Sequence, residues 1–181
     1  MLTNVYFRLW CGALACCGGA FTALAATQGA LDTTSTLTFQ LQVVVAYTAK
    51  IQDLDDINLG VWTNQAQLQA SDQVCVFISG GANYAITFDG TNQPGSFTLN
   101  NGAGGTVPYE VAYDDTGAGS NYQVVTATTP LSGQTNASGT ENCSGGLNGT
   151  IRITTTKADM AAAGQSGSYA DTLSVSVTPD P

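Results

Sequence analysis

The strongest constraint on the fold is a two-residue alternation of apolar and polar side chains, repeated in short runs along the chain. Successive side chains of a β-strand point to opposite faces, so residues two apart share one face. Such runs predict strands that are buried on one face and wet on the other. The apolar positions are Leu37, Phe39, Leu41 and Val43; Tyr84, Ile86 and Phe88; Val107, Tyr109, Val111 and Tyr113; Leu147, Ile151 and Ile153; and Leu173, Val175 and Val177.

Turn-forming residues separate these runs. Asp89-Gly90, Asn101-Gly102 and residues 114–117 supply positive φ angles or Asx-type bends. Helical periodicity is confined to residues 157–163, enough for a turn or two. Many short strands joined by such turns predict an all-β fold, an antiparallel β-sandwich.

The first 25 residues have the features of a secretory signal peptide. Arg8 precedes an apolar stretch over residues 9–24, and an Ala-Leu-Ala cleavage site ends at residue 25. A transmembrane anchor is one alternative, but the stretch is interrupted by glycines and is shorter than the roughly 20 apolar residues a span needs. A lipoprotein anchor on a leader cysteine is another. We predict cleavage before Ala26 and a single domain in the remaining 156 residues.

Two cysteines, Cys75 and Cys143, remain after the leader is removed. In an exported chain two cysteines most simply form one disulfide bond. The expected compartment is therefore oxidising: the periplasm, the cell surface or the outside of the cell.

The charge of the chain excludes one class of partner. Removing Arg8 with the leader changes the formal net charge from −9 to −10. The remaining cations, Lys50, Arg152 and Lys157, cannot form the basic stripe that binds phosphates. We predict no nucleic-acid partner and no stable membrane insertion.

The chain contains no histidine, which excludes Ser-His-Asp and Cys-His catalysis and His-containing metal sites. A carboxylate pair for glycoside hydrolysis stays formally open, as does calcium binding. The candidate carboxylates are Asp114 and Asp115, or Asp53, Asp55 and Asp56. Their structural interpretation is preferred, because Asp-Asp-Thr-Gly is a turn sequence and the second group ends a strand in solvent. We predict no enzyme activity, no metal site and no cofactor.

The two ends of the domain contain more strand than one molecule can pair. Residues 36–50 are extended throughout and would span roughly 50 Å at about 3.3 Å per residue. Ordinary strands run roughly 17–20 Å, so we predict two consecutive strands that meet near Val43, only one of them needed by this molecule's own fold. The last strand, predicted over residues 169–178, has an open apolar edge that a strand from another molecule would cover.

The end of the chain also carries a motif, Gly167-Ser168-Tyr169-Ala170-Asp171-Thr172-Leu173, followed by an alternating strand. This segment resembles the closing signature of spore coat protein U domains, a family that includes the pilins of archaic chaperone–usher fimbriae. Segments upstream are similar to other elements of that family: Val74-Cys75-Val76-Phe77, Val107-Pro108-Tyr109-Glu110-Val111, and residues 142–153.

The resemblance implies an incomplete immunoglobulin-like sandwich that lacks its seventh strand and is completed by donor-strand exchange. Residues 26–42 would be the donated N-terminal extension, and residues 43–181 the pilin-like domain. The donated side chains would be Leu31, Leu37, Phe39 and Leu41. The terminal strand would line the acceptor groove through Tyr169, Leu173, Val175 and Val177. The implied partners are copies of itself or sister subunits, a periplasmic chaperone and an outer-membrane usher, and the implied destination is a fimbrium on the cell surface.

Two departures from the family and two other functions remain open. The first-strand cysteine of many members is missing near Ala49, and the aromatic residue of a short family motif is Leu59 here. The chain could instead be a secreted coat or biofilm matrix protein. It could also be a single-domain surface lectin or adhesin that stacks a glycan on an exposed aromatic residue such as Trp62, Tyr113 or Tyr122.

Overall fold

The computed structural model describes residues 31–37 and 39–180. The predicted signal peptide lies outside them, as does the beginning of the predicted extension. The chain divides into two units, Met1–Val45 and Ala46–Pro181. In the described part of the first unit, residues 31–37 and 39–45 form no strand or helix and are exposed. The alternating run is therefore not a strand at Leu37 or over residues 39–43, because a strand needs a ladder partner for its backbone groups.

The second unit is nearly all β. Its strands are β1 (Ala49–Gln52), β2 (Gln67–Ile78), β3 (Tyr84–Gly90), β4 (Thr98–Asn100), β5 (Thr106–Pro108), β6 (Glu110–Asp114), β7 (Gln123–Val124), β8 (Leu131–Gln134), β9 (Gly149–Thr156) and β10 (Leu173–Pro179). One short α-helix, α1 (Lys157–Ala162), follows β9 where helical periodicity was predicted, and a 3-10 helix spans Ser79–Gly81 between β2 and β3. Thr156 and Asp159 close its first turn in a capping box.

The strands form two main antiparallel sheets whose inner faces share one core. The larger has the order β1-β2-β9-β6-β7 and the smaller β10-β3-β8, while β4 and β5 form a separate pair. Apolar residues of β2, β6 and β9 pack with those of β3 and β10 in a single cluster. If the strands are lettered along the chain, the sheet orders β1-β2-β9-β6 and β10-β3 correspond to A-B-E-D and F-C of an immunoglobulin-like sandwich. The predicted all-β sandwich is confirmed.

The run from Val107 to Tyr113 is divided between two strands that pair with different partners. Strand β5 pairs with β4, whereas β6 pairs with β9, and the chain changes sheet at Tyr109. All four apolar positions of the run are buried, as the alternation predicts. Leu147, by contrast, is exposed and precedes β9, so its predicted place beside Ile151 and Ile153 was wrong.

The predicted disulfide between Cys75 and Cys143 is present. It joins β2 to the loop that precedes β9, and Asn148 reinforces the same junction. Asn148 accepts a hydrogen bond from the Val76 N–H at 2.8 Å and donates one to the Val76 carbonyl at 2.9 Å. On the side where the ladder with β9 has ended, the Val76 backbone therefore bonds to this side-chain amide and to the Ser138 N–H.

Replacing both cysteines with alanine should lower the free energy of unfolding by roughly 4 kcal/mol, because the cross-link closes a long loop in the unfolded chain. Urea unfolding of the full exported chain measures the loss. Reduction of the unaltered protein is the matched control and should reproduce it. A loss below about 1 kcal/mol would contradict a stabilising role of the expected size.

Candidate functional site: an open groove between two strand edges

Strand β10 is an edge strand whose free side presents three residues in a regular pattern. Its ladder partner among the described residues is β3. The Thr91 N–H donates to the Thr172 carbonyl and the Asp180 N–H to the Asn83 carbonyl, each at 2.9 Å. Since antiparallel residues bond in alternation, the even-numbered residues of β10 face β3. The backbone groups of Leu173, Val175 and Val177 therefore point away from β3, as does the carbonyl of Pro179, which has no N–H.

The same three residues direct their side chains towards the core. Leu173, Val175 and Val177 are half-buried and pack against the core cluster, while the residues between them are exposed. One stretch of strand thus offers unpaired backbone groups and an apolar surface together. This combination is what an additional strand needs in order to pair and to bury its own apolar side chains.

A second open edge lies close by on β1. Its ladder partner is β2, and the bond from the Ser79 N–H to the Thr48 carbonyl leaves the backbone of Ala49 and Ile51 turned away from β2. Ile51 is half-buried against the core. Strands β1 and β10 have Cα atoms within 8 Å of each other, but no ladder joins them. We call the surface between them the edge groove; its residues are Ala49, Ile51, Leu173, Val175 and Val177.

The Leu173 end of the edge groove opens into a cavity of about 300 Å³. Its wall includes Leu59, Leu99, Tyr109 and Ile151, and carboxylates including Asp171 lie on its lining. The cavity reaches the sandwich core directly and can accept an apolar side chain.

Asp171 anchors the start of β10 beside this cavity. Its carboxylate accepts hydrogen bonds from the Tyr109 hydroxyl at 2.8 Å, the Asn92 N–H at 3.0 Å and the Thr172 N–H at 2.8 Å. Burial, together with the hydrogen bond to Asp171, raises the pKa of Tyr109, so the Tyr109 hydroxyl stays protonated and acts as the donor. A Cβ atom on Gly90 would lie 2.8 Å from the Asp171 carboxylate, so only glycine fits there.

Tyr169 does not belong to the terminal strand, and that prediction was wrong. Strand β10 begins at Leu173. The Tyr169 hydroxyl donates to the Gln165 carbonyl at 2.9 Å and accepts from the Asn101 side chain at 3.4 Å, so the ring ties two loops together. The other predicted groove residues, Leu173, Val175 and Val177, lie on β10, and their role as an acceptor stays a prediction.

The predicted donor residues are exposed in the first unit. They are Leu31, Leu37, Phe39 and Leu41, and Phe39 is 74% exposed. Val43, Val44 and Val45 follow and are exposed too, whereas the domain's own first strand was predicted to start at Val43 and begins only at Ala49. Seven large apolar side chains of this segment are therefore in contact with water.

Asp114 and Asp115, which were considered for catalysis, instead accept hydrogen bonds from the backbone of nearby loops. Asp114 is fully buried and accepts hydrogen bonds from the Thr116 N–H and hydroxyl and from the N–H groups of Ser120 and Asn121. Burial alone would raise the pKa of Asp114, but these hydrogen bonds outweigh it and lower the pKa to about 2. Asp115 accepts from the Thr135 N–H and the Asn136 amide.

The second acidic group is exposed and follows β1. Within it, the Asp55 N–H donates to the Asp72 carboxylate at 2.7 Å. In residues 31–37 and 39–180, no group of three or more Cys, Asp or Glu side chains is placed to hold a metal ion. No helix in the same ranges is long and apolar enough to cross a membrane.

The three aromatic residues considered for glycan stacking have different surroundings. Tyr113 is fully buried and shares a 2.7 Å hydrogen bond with the Tyr84 hydroxyl, so it cannot reach a glycan; burial raises the pKa of Tyr113 to about 12. Trp62 is half-buried and donates to the Gln65 carbonyl. Tyr122 is half-buried, and its ring lies against the Arg152 guanidinium, a contact that sequence reasoning missed because the two residues are 30 apart.

Comparison with known proteins finds distant likeness only. No protein-family model matches the chain, and no curated protein matches it in sequence. Among solved structures it is similar to a chain described as part of a chaperone–tip adhesin complex vital for synergistic activation of CFA/I fimbriae biogenesis. The two are 13% identical with a TM-score of 0.49, and the match covers 73% of this chain and 42% of that chain. This chain thus spans less than half the length of that neighbour. The resemblance to spore coat protein U domains stays a prediction.

Replacing Asp114 with asparagine should destabilise the domain in a pH-dependent way. A carboxyl whose pKa is about 2 when folded and about 3.9 when unfolded stabilises the fold above pH 4, and this contribution disappears as the pH falls towards 2. Allowing for screening by water, the difference at pH 7 should be about 1–2 kcal/mol. Urea unfolding of both proteins across this pH range measures it.

The matched control is Asp53→Asn, at an exposed position, which should leave the stability at pH 7 unchanged. An equal stability difference between the original protein and Asp114→Asn at pH 7 and at pH 2 would refute the assigned role of the Asp114 charge.

Proposed function

We propose that this protein is a structural subunit of a secreted surface fibre, in which one subunit donates its N-terminal extension, residues 26–42, to the edge groove of the next. The observation that carries the proposal is the open edge of β10, where Leu173, Val175 and Val177 combine unpaired backbone groups with an apolar inner face.

Pairing at this edge would satisfy backbone groups that otherwise bond only to water. An added strand gains main-chain hydrogen bonds along β10 and gains specificity from alternate side chains that enter the groove. In immunoglobulin-like sandwiches the strand beside F is strand G. A donated strand at β10 would take that position and cover both the groove and the cavity at its Leu173 end.

The extension has the pattern that this groove requires. Leu37, Phe39 and Leu41 repeat every two residues, the same spacing as Leu173, Val175 and Val177. In a strand they would share one face, with Thr38 and Gln40 on the other. Burying each of the three would contribute roughly 1.5–3 kcal/mol, enough in combination for very slow dissociation.

The route of assembly is proposed from the sequence. The signal peptide over residues 1–25 would deliver the chain to the periplasm, and the resemblance to spore coat protein U domains implies a chaperone that protects the groove and an usher that exports the fibre. A coat or biofilm matrix protein would use the same groove without a fimbrial shaft. Both are structural functions, and neither requires catalysis.

Matched substitutions on the two faces of each strand test the proposal. Donor-strand assembly predicts that the exported chain forms detergent-resistant ladders. Phe39→Asp should abolish these ladders, because it places a charge in an apolar groove, whereas Gln40→Asp on the opposite face should leave them intact. On the receiving strand, Val175→Asp should act like Phe39→Asp, and exposed Ser176→Asp like Gln40→Asp. Gel electrophoresis without heating measures the ladders.

A deletion of residues 26–42 should likewise remove the ladders, and a synthetic peptide of residues 31–45 should then bind the shortened chain. If each inward-facing variant matched its outward-facing control, or if the shortened chain were a stable monomer that ignored the peptide, donor-strand assembly would be ruled out.

A further inference from the structure

Arg152 occupies the centre of the outer face of the larger sheet. It lies on β9 between Ile151 and Ile153, which face the core, so its side chain leaves the opposite face. Its neighbours in the ladder are Ser71 on β2 and Ala112 on β6. The edge-groove side chains pack towards the core, whereas this face points away from it, so an inference about it does not rest on the proposed assembly.

The guanidinium of Arg152 has no anionic partner among the described residues. Its buried Nε atom makes no hydrogen bond, and the ion pair found in that part of the chain joins Lys50 and Glu141 at 2.9 Å. A second buried donor without a partner, the Thr150 hydroxyl, lies two residues earlier on the same face of β9, and Thr150 is only 4% exposed. Unsatisfied buried polar groups are costly, so two on one face call for an explanation.

Tyr122 holds the guanidinium in place. The Arg152 Cζ atom lies 3.8 Å from the centre of the Tyr122 ring, the geometry of a cation–π contact. Stacking against a ring restricts the long arginine side chain before any ligand arrives, which lowers the entropic cost of binding. The five N–H donors of a guanidinium match the two oxygens of a carboxylate in a bidentate arrangement.

The surroundings offer neutral hydrogen-bonding groups. Gln69, Ser71 and Gln73 are exposed on the outer face of β2, and half-buried Thr154 follows Arg152 on β9. The Gln73 amide already donates to the Gly117 carbonyl at 2.7 Å, and Asp53, Asp55 and Asp72 border Ser71 and Gln73 at the edge of this face. Two carboxylates share this face, Glu110 and Asp114. Neither lies within 4 Å of the guanidinium nitrogens, and the Asp114 oxygens are occupied by the loop that follows β6. A ligand that suits this surface has one carboxylate and several hydroxyl groups.

We propose that Arg152, stacked against Tyr122, binds the carboxylate of an acidic saccharide, of the hexuronic acid class. The guanidinium binds the carboxylate, and the amides and hydroxyls of β2 and β9 bind the sugar hydroxyls. A peptide carboxylate would use Arg152 equally well but would leave that row of side chains unused. The negative net charge of the chain is screened beyond about 8 Å at physiological ionic strength, so it does not prevent a short-range contact.

The test uses trigalacturonate and its methyl ester as probes for the exported chain, purified with its assembly state intact, and isothermal titration calorimetry at physiological salt. The acid should bind, and the ester should bind at least tenfold more weakly because it has lost the charge that the guanidinium recognises. Arg152→Lys should reduce affinity for the acid about tenfold by removing the bidentate fork, and Tyr122→Leu should reduce it as well. Lys157→Gln, which removes a cation elsewhere, should have no effect.

Three results would overturn the proposal. The first is equal binding of the acid and its ester, a comparison made on the unaltered protein and therefore independent of whether any variant folds. The second is no binding of the acid at millimolar concentration. The third is equally tight binding of triglutamate, which would assign the site to peptide carboxylates instead of saccharides.

Discussion

The backbone hydrogen bonds that β10 cannot make within its own sheet are the constraint on which the functional interpretation depends. An edge strand with an apolar inner face must be covered, charged or paired, since otherwise it recruits strands indiscriminately. Here the free side of β10 has no charged side chain on its inward positions, and β1 leaves a second edge open beside it. The domain forms a core, yet Leu173, Val175 and Val177 leave one side of that core partly accessible.

Contacts outside the edge groove hold the two strands that border it in position. The Asp171 carboxylate, two residues before β10, bonds to the Tyr109 hydroxyl and to the Asn92 N–H in the loop after β3. Gly90 provides the room that this carboxylate needs. On the other sheet, the disulfide and Asn148 hold β2 to the segment that leads into β9. The strands behind both edges are therefore held by further contacts outside the groove.

The sequence predicts which face of each strand is buried far better than it predicts strand partners. Alternation identified the buried sets around Phe88 and Val111, and the leftover cysteine pair predicted the disulfide. The change of sheet at Tyr109 could not be foreseen, because a two-residue period is the same whichever strand lies alongside. The start of β10 at Leu173 was missed for a related reason: Tyr169 keeps the alternation, but its hydroxyl bonds to loop residues. Residues 39–43 show the limit most clearly, because they have the pattern of a strand and form no strand without a partner. The Arg152–Tyr122 contact depends on a fold that brings distant residues together and has no local signal.

Pro179 gives the edge groove a defined length. It is the next residue of β10 after Val177 whose backbone points into the groove, and it offers a carbonyl but no N–H. A strand shifted by two residues towards this end would lose a pair of hydrogen bonds with one residue of β10 and gain only one bond, to the Pro179 carbonyl. Slippage towards this end is therefore penalised by Pro179. A polymer built on such a groove would repeat at one fixed spacing from subunit to subunit, because Pro179 lacks the N–H that a shifted strand would need.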